Sequence, residues 1–166
     1  MNLVFHNSTS DKKYNSKFFE KILNTAAKEL KLGEIKLSVS VNLVSGTKIK
    51  ELNRKYRHKN KPTDVLSFPI HPPCDAKRIA DKRGSVNCNA ILTRINADSY
   101  DLGDIFICLS IAKEEAKREN VSIERKLAQL TAHGFLHLAG YDHERSKKEA
   151  NKMLQLESKI LKELNF

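Results

Sequence analysis

Residues 133 to 143 read His-Gly-Phe-Leu-His-Leu-Ala-Gly-Tyr-Asp-His, which places three of the chain's six histidines in one short segment. His133 and His137 are four apart, so on a helix they project from one face, about one turn above each other. Imidazoles at that spacing are the pair used by helical zinc sites. Gly140 can take the left-handed conformation that ends a helix, and the chain can then double back to bring His143 toward the first two. Three imidazoles leave one tetrahedral position open, which marks a catalytic zinc rather than a structural one. The ordinary reason for a histidine near a helix C-terminus is the macrodipole, which favours a cation there. That reason covers a single histidine but not the spacing of all three. A helical zinc protease carries Glu directly after the first His as its general base, and here that position is Gly134. Peptide hydrolysis by that route therefore lacks its base.

The chain has a formal net charge of +10 with histidine neutral and a sequence pI near 9.5. Such a balance attracts polyanions, of which nucleic acid is the commonest in a cytosol. The charge is concentrated: Lys48, Lys50, Arg54, Lys55, Arg57, Lys59 and Lys61 stand against one acid, Glu51. This segment is a candidate phosphate-contacting surface.

The elements that must position these residues can be read from periodicity. At 166 residues, 40% hydrophobic and 30% charged, the chain is expected to form one globular domain. No apolar run approaches the ~18 residues of a membrane span, and Met1 to His6 lacks a charged region followed by an apolar one, so neither a span nor a signal peptide is expected. Cys74, Cys88 and Cys108 form no C-x-x-C pair and read as free thiols of a cytoplasmic protein.

Strands are expected at Leu3 to His6, Ile35 to Val44, Thr63 to Phe68 and Asp104 to Leu109. Pro62 and Pro69 bracket the third and place it at a sheet edge, where an extended substrate could lie. Helices are expected over Asn15 to Lys31, from a Ser45 cap to about Tyr56 with Ile49, Leu52 and Tyr56 inward, from a Ser110 cap to about Arg118, and from a Ser122 cap through the histidine pair. The last opens on the capping box Ser146-x-x-Glu149 and buries Ala150, Met153, Leu154, Leu156, Ile160, Leu161 and Leu164. Residues 71 to 101 read as a long irregular insertion, with a weak hairpin at Cys88 to Ile95. About four strands and five helices intermixed give an α+β fold, one layer of mixed sheet covered by helices.

Three motifs carry a family resemblance: Leu52 to Pro69 (Leu-Asn-Arg-Lys-Tyr-Arg-His-Lys-Asn-Lys-Pro-Thr-Asp-Val-Leu-Ser-Phe-Pro), Leu102-Gly103-Asp104-Ile105, and His133 to His143. In this order the chain resembles, from about Ile35 to Leu164, the bacterial YbeY-type endoribonucleases, also called ribosomal RNA maturation factors. The resemblance implies a zincin-like α+β fold and a zinc-dependent, single-strand-specific endoribonuclease. It also implies a part in ribosomal RNA maturation, including 16S 3′-end processing, and in ribosome quality control. Single-stranded RNA, ribosomal RNA or a ribosomal subunit would be the partner, with no membrane involved. His133, His137 and His143 match the family's ligands to one zinc ion. Arg57 matches its functionally important arginine in Tyr-Arg-x-Lys, and Arg57 and His133 are the implied catalytic residues. The 71 to 101 segment looks longer than the family's usual link.

The chemistry of the residues agrees in part. Phosphodiester cleavage needs charge neutralised on a non-bridging oxygen and an activated nucleophile, and an open-sided zinc supplies both functions. A guanidinium adds a planar fork that matches phosphate. Arg57 could be that group, or one more solvated charge among many. Asp142 either orients a ligand or caps the last helix. His6, His58 and His71 have no partners at useful spacing and read as surface residues. Water or the 2′-hydroxyl of RNA would have to be the nucleophile.

Overall fold

The computed structural model describes residues 1–32, 36–70, 100–144 and 146–166. Period-2 alternation builds its sheet from β1 (Asn2–Asn7), β2 (Leu37–Val44), β3 (Val65–Pro69) and β4 (Tyr100–Cys108), in the order β1-β2-β4-β3. β2 runs parallel to both β1 and β4, while β3 pairs antiparallel with β4, Val65 opposite Ile107 and Pro69 opposite Gly103. β3 is therefore an edge strand, as its prolines required. Gly103 has φ +120°, and a Cβ there would come within 2.1 Å of the Phe68 carbonyl oxygen, so the strand pair closes only over glycine.

The helices are α1 (Ser16–Glu29), α2 (Gly46–Arg57), α3 (Leu109–Arg118), α4 (Ile123–Leu138) and α5 (Lys147–Glu163). Asn15, Ser45, Ser122 and Ser146 cap α1, α2, α4 and α5, each side-chain oxygen accepting from a backbone N–H three residues on. Val39, Val41, Leu43, Ile105 and Ile107 share the main core with Phe19, Ile22, Leu127, Phe135, Met153 and Ile160 of α1, α4 and α5. A smaller cluster, Val44, Ile49, Leu52, Leu66 and Cys108, lies on the other side, where α2 packs. The result is a single α+β domain with a four-stranded mixed sheet and five helices among the described residues.

Several boundaries and faces differ from expectation. β4 begins at Tyr100, not Asp104, because Tyr100 and Asp101 pair with Leu37 and Ser38 and so belong to the sheet rather than to an insertion. It ends at Cys108, where α3 starts without a connecting residue; Ser110 is inside the first turn and is not its cap. The Cys108 N–H donates to the Asp64 carbonyl at 2.8 Å, which holds the chain in strand geometry up to that point. Tyr56 and Leu154, expected inward, are 54% and 61% exposed. α5 turns Met153, Glu157, Ile160 and Leu161 to the core, and Leu154 lies about 100° round from Met153. Cys108 is free and buried. Ile35, His71, Cys74, Cys88, the hairpin expected at Cys88 to Ile95 and nearly all of the expected insertion lie outside the described residues. No described helix is long and apolar enough to cross a membrane.

Candidate functional site

The last turns of α4 put His133 and His137 one above the other, ring centroids 4.8 Å apart and Nε2 atoms 3.2 Å apart. After Ala139 the helix stops in a double cap. The Gly140 N–H donates to the His137 carbonyl at 2.9 Å and the Tyr141 N–H to the Leu136 carbonyl at 3.0 Å. Gly140 sits at φ +88°, the left-handed conformation that this cap demands. The reversal brings the His143 ring to 5.3 Å from His133 and 5.1 Å from His137. Asp142 Oδ1 accepts from the Glu144 N–H at 2.9 Å and so pins the turn that carries His143. Asp142 thus braces the turn rather than α5, which Ser146 caps.

One nitrogen from each of the three rings lies within 4.8 Å of the other two, a group that could hold a metal ion. His133 and His137 are half-buried and His143 is exposed, so the cluster opens to one side. Glu157 of α5, only 6% exposed, stands behind it. One carboxylate oxygen is 3.1 Å from His133 Nδ1 and the other accepts from Gln129 Nε2 at 3.0 Å. A carboxylate only accepts, so the proton of His133 resides on Nδ1 and the lone pair of Nε2 faces His137. Carboxylates hold metal-ligating imidazoles in the same way. Burial first, then the neighbouring His133 and His143, push the pKa of His137 down to about 4. His137 is then neutral near pH 7, as a ligand must be. The Nε2 separation of 3.2 Å is close to the edge, roughly 3.4 Å, of a tetrahedron with zinc–nitrogen arms of ~2.0–2.1 Å. That pair fits zinc, and with His143 it forms a group that could hold a metal ion.

Gly134 has a packing reason. A Cβ there would stand 2.8 Å from Cγ2 of Ile105, so a glutamate at the protease base position requires the buried Ile105 side chain or α4 to shift.

The opposite wall of the site comes from β3 and the end of α2. Thr63, Asp64, Val65, Leu66, Ser67 and Arg57 face the histidines, Asp142 and Glu144 across a cleft of about 360 Å³. Buried Asn53 shapes this wall. Its Nδ2 donates to the Lys61 carbonyl at 2.7 Å and its own carbonyl accepts from the Lys59 N–H at 3.2 Å, tightening the turn from α2 into β3. Arg57 Nη2 is 3.6 Å from Glu144 Oε1, an exposed pair that spans the cleft mouth.

A family model described as endoribonuclease YbeY matches residues 4–165 of this chain. The chain belongs to the YbeY endoribonuclease family. Curated members include endoribonuclease YbeY of Persephonella marina, 33% identical, with 98% of this chain and 92% of that protein covered. That of Syntrophomonas wolfei is 37% identical, with 97% and 96% covered. A solved relative is a Thermotoga maritima protein whose solution structure matches with a TM-score of 0.58 at 29% identity, over 97% of this chain and 87% of that one.

Against this family background, the fold brings all four residues singled out in the sequence, His133, His137, His143 and Arg57, to one cleft. His6 lies exposed on β1, and His58, at φ +57°, caps α2. Lys48 pairs with Glu51 at 3.1 Å. Periodicity missed Glu157, Gln129 and Glu144. For Glu157 a signal existed: a carboxylate in phase with Met153 and Ile160, on an otherwise apolar stripe, needs a buried partner.

Proposed function

We propose that this protein is a zinc-dependent endoribonuclease that cuts single-stranded RNA, acting in the cytoplasm on ribosomal RNA, including the 3′ end of 16S RNA, and in ribosome quality control. The whole chain would serve as one catalytic domain. The observation that carries the reading is the juxtaposition of a three-imidazole cluster, open on one side, with a guanidinium on the facing wall of the same cleft. His133, His137 and His143 would hold one zinc ion, which supplies Lewis-acid charge stabilisation and acidifies water when bound.

Arg57 moves from Glu144 to a non-bridging phosphoryl oxygen, where its fork is worth most as charge builds. Glu157 keeps the His133 proton on Nδ1 throughout. The rest of the basic segment holds flanking phosphates through interactions that salt screens. A protease is disfavoured by the closeness of Gly134 to Ile105. A purely structural zinc is disfavoured because the described cluster holds three such side chains, not four, and His143 is exposed.

The deciding experiment incubates the zinc-loaded protein with labelled single-stranded RNA and, separately, with casein, each with and without chelator. RNA cut only in the metal-loaded sample, with casein intact, is the expected result. Tight RNA binding without cleavage in clean, metal-replete protein would make it an assembly factor instead.

A further inference from the structure

The unexpected outward position of Tyr56 leads beyond the cleft itself. Single exposed aromatics are common and carry no meaning alone. This ring differs in its support. Its centroid is 5.0 Å from that of Phe68, which lies 5.7 Å from Phe106, so two half-buried rings back it from the sheet. Lys55 Nζ stands 5.0 Å from the Tyr56 ring centre. The neighbours in sequence matter equally: Tyr56 precedes Arg57 and Phe68 follows Ser67, and both Arg57 and Ser67 line the cleft. Neither ring lines the cleft itself, and Phe68 turns to the sheet face opposite Ser67; Tyr56 is one residue from Arg57 of the cleft wall, in the most basic stretch of the sequence.

We propose that Tyr56, backed by Phe68, is the stacking platform for the base of a nucleotide next to the phosphate held in the cleft. The inference rests on the endoribonuclease reading above and gives it a substrate contact. An aromatic face accepts any base, and rings interleaved with lysine and arginine are how single strands are held without a sequence code. In a duplex the faces of a base are covered by its neighbours, so the platform favours single strands for a geometric reason. Lys55, already over the ring, is placed to take the phosphate of the stacked nucleotide. The basic surroundings favour RNA over an apolar protein segment as the occupant.

The test is a cycle between side chain and base. Single-stranded RNAs, each lacking one base but keeping every phosphate, are cut by zinc-loaded protein in excess, and the half-saturating protein concentration is read. For the parent, loss of one base beside the cut should raise that concentration roughly tenfold, the scale of one stacked base. Tyr56→Leu should raise it by a similar factor on intact RNA, yet gain no further penalty from the missing base. Tyr56→Phe should behave as the parent, because it keeps the π-face. Zinc content and thermal midpoint, measured on each variant, should match the parent, since the side chain is exposed. If Tyr56→Leu half-saturates like the parent, or if its penalty simply adds to that of the missing base, there is no platform and the exposed ring belongs to some other partner. Should Tyr56→Phe fail like Tyr56→Leu, the hydroxyl rather than the ring is in use and the inference falls. A parent protein that cuts no RNA at any concentration removes the endoribonuclease reading and this one with it; intact cutting with additive losses removes the platform alone.

Discussion

On one side of the cleft three imidazoles are fixed by a helix, a double C-terminal cap, an Asx turn and a buried carboxylate, whereas on the other one guanidinium rests on an exposed carboxylate 3.6 Å away. The contrast follows from what each wall must do. A resident ion is bound once, and ligands already ordered spare the entropy of arranging them at that moment. A substrate phosphate must arrive and leave, so its partner has to be held weakly enough to exchange. The imidazoles are thus braced by several contacts, whereas the Arg57 side chain is exposed and held by one long ion pair.

The largest effect should come from removing the imidazole wall. The triple replacement of His133, His137 and His143 by Ala should abolish stoichiometric zinc, measured by elemental analysis after purification without chelator, and cleavage should vanish with it. Unchanged metal content would place the ion elsewhere. Next in size is the wall that carries Arg57. Arg57→Ala should slow single-turnover cleavage at saturating protein by about a hundredfold, the scale of one lost oxyanion-type donor. Its affinity for RNA should fall only a few-fold, and its zinc content should not change. Parental rates at saturation would make Arg57 a docking residue.

Glu157→Gln probes the brace behind the imidazole wall. It keeps an acceptor for His133 but removes the charge, and zinc affinity, measured by competition with a chromophoric chelator, should drop about tenfold. Equal affinity would mean that the helix alone orients His133. The same wall predicts a pH effect in metal-free protein. His137 binds a proton near 6.5 when unfolded but only near 4 when folded. Between those values the unfolded chain holds more protons, so stability is complete above about 6.5 and declines as the pH falls toward 4. Denaturant midpoints across this range should slope, and should slope less in His137→Gln. The smallest effect should come from Glu144→Gln, which frees Arg57. An exposed pair is worth ~0–1 kcal/mol, so RNA affinity should rise about threefold at low salt and hardly at all at physiological salt. A large gain would show the pair to be a real gate.

The two walls also differ in how far they can be read from residues alone. The i, i+4 pair, the glycine stop and the caps at Ser45, Ser122 and Ser146 are local: each follows from helix geometry within a few residues, and the structure holds them as expected, whereas the cap expected at Ser110 is absent because the strand before it runs on to Cys108. The edge position of β3 was legible from its prolines, but the order β1-β2-β4-β3 was not, because alternation says nothing about which strands pair. Nor was the starting point of β4, because Tyr100 becomes a strand residue only through its pairing with Leu37. Tyr56 and Leu154 fell on the wrong side for a related reason. Periodicity defines a stripe, but the width that is finally covered depends on the partner surface, and α2 meets only a small cluster.

The sequence by itself thus determined that an imidazole triad would form, since helix pitch and a left-handed glycine act over one or two turns wherever the segment is placed. Only the tertiary structure decided what surrounds that triad: Arg57 from a helix earlier in the chain, Glu157 from the one that follows, and Ile105 packed so close that a side chain at position 134 would force a shift. Such contacts join residues far apart in sequence. They depend on the distance and angle at which helices settle on the sheet, and those are set by the summed packing of many side chains rather than by any local pattern.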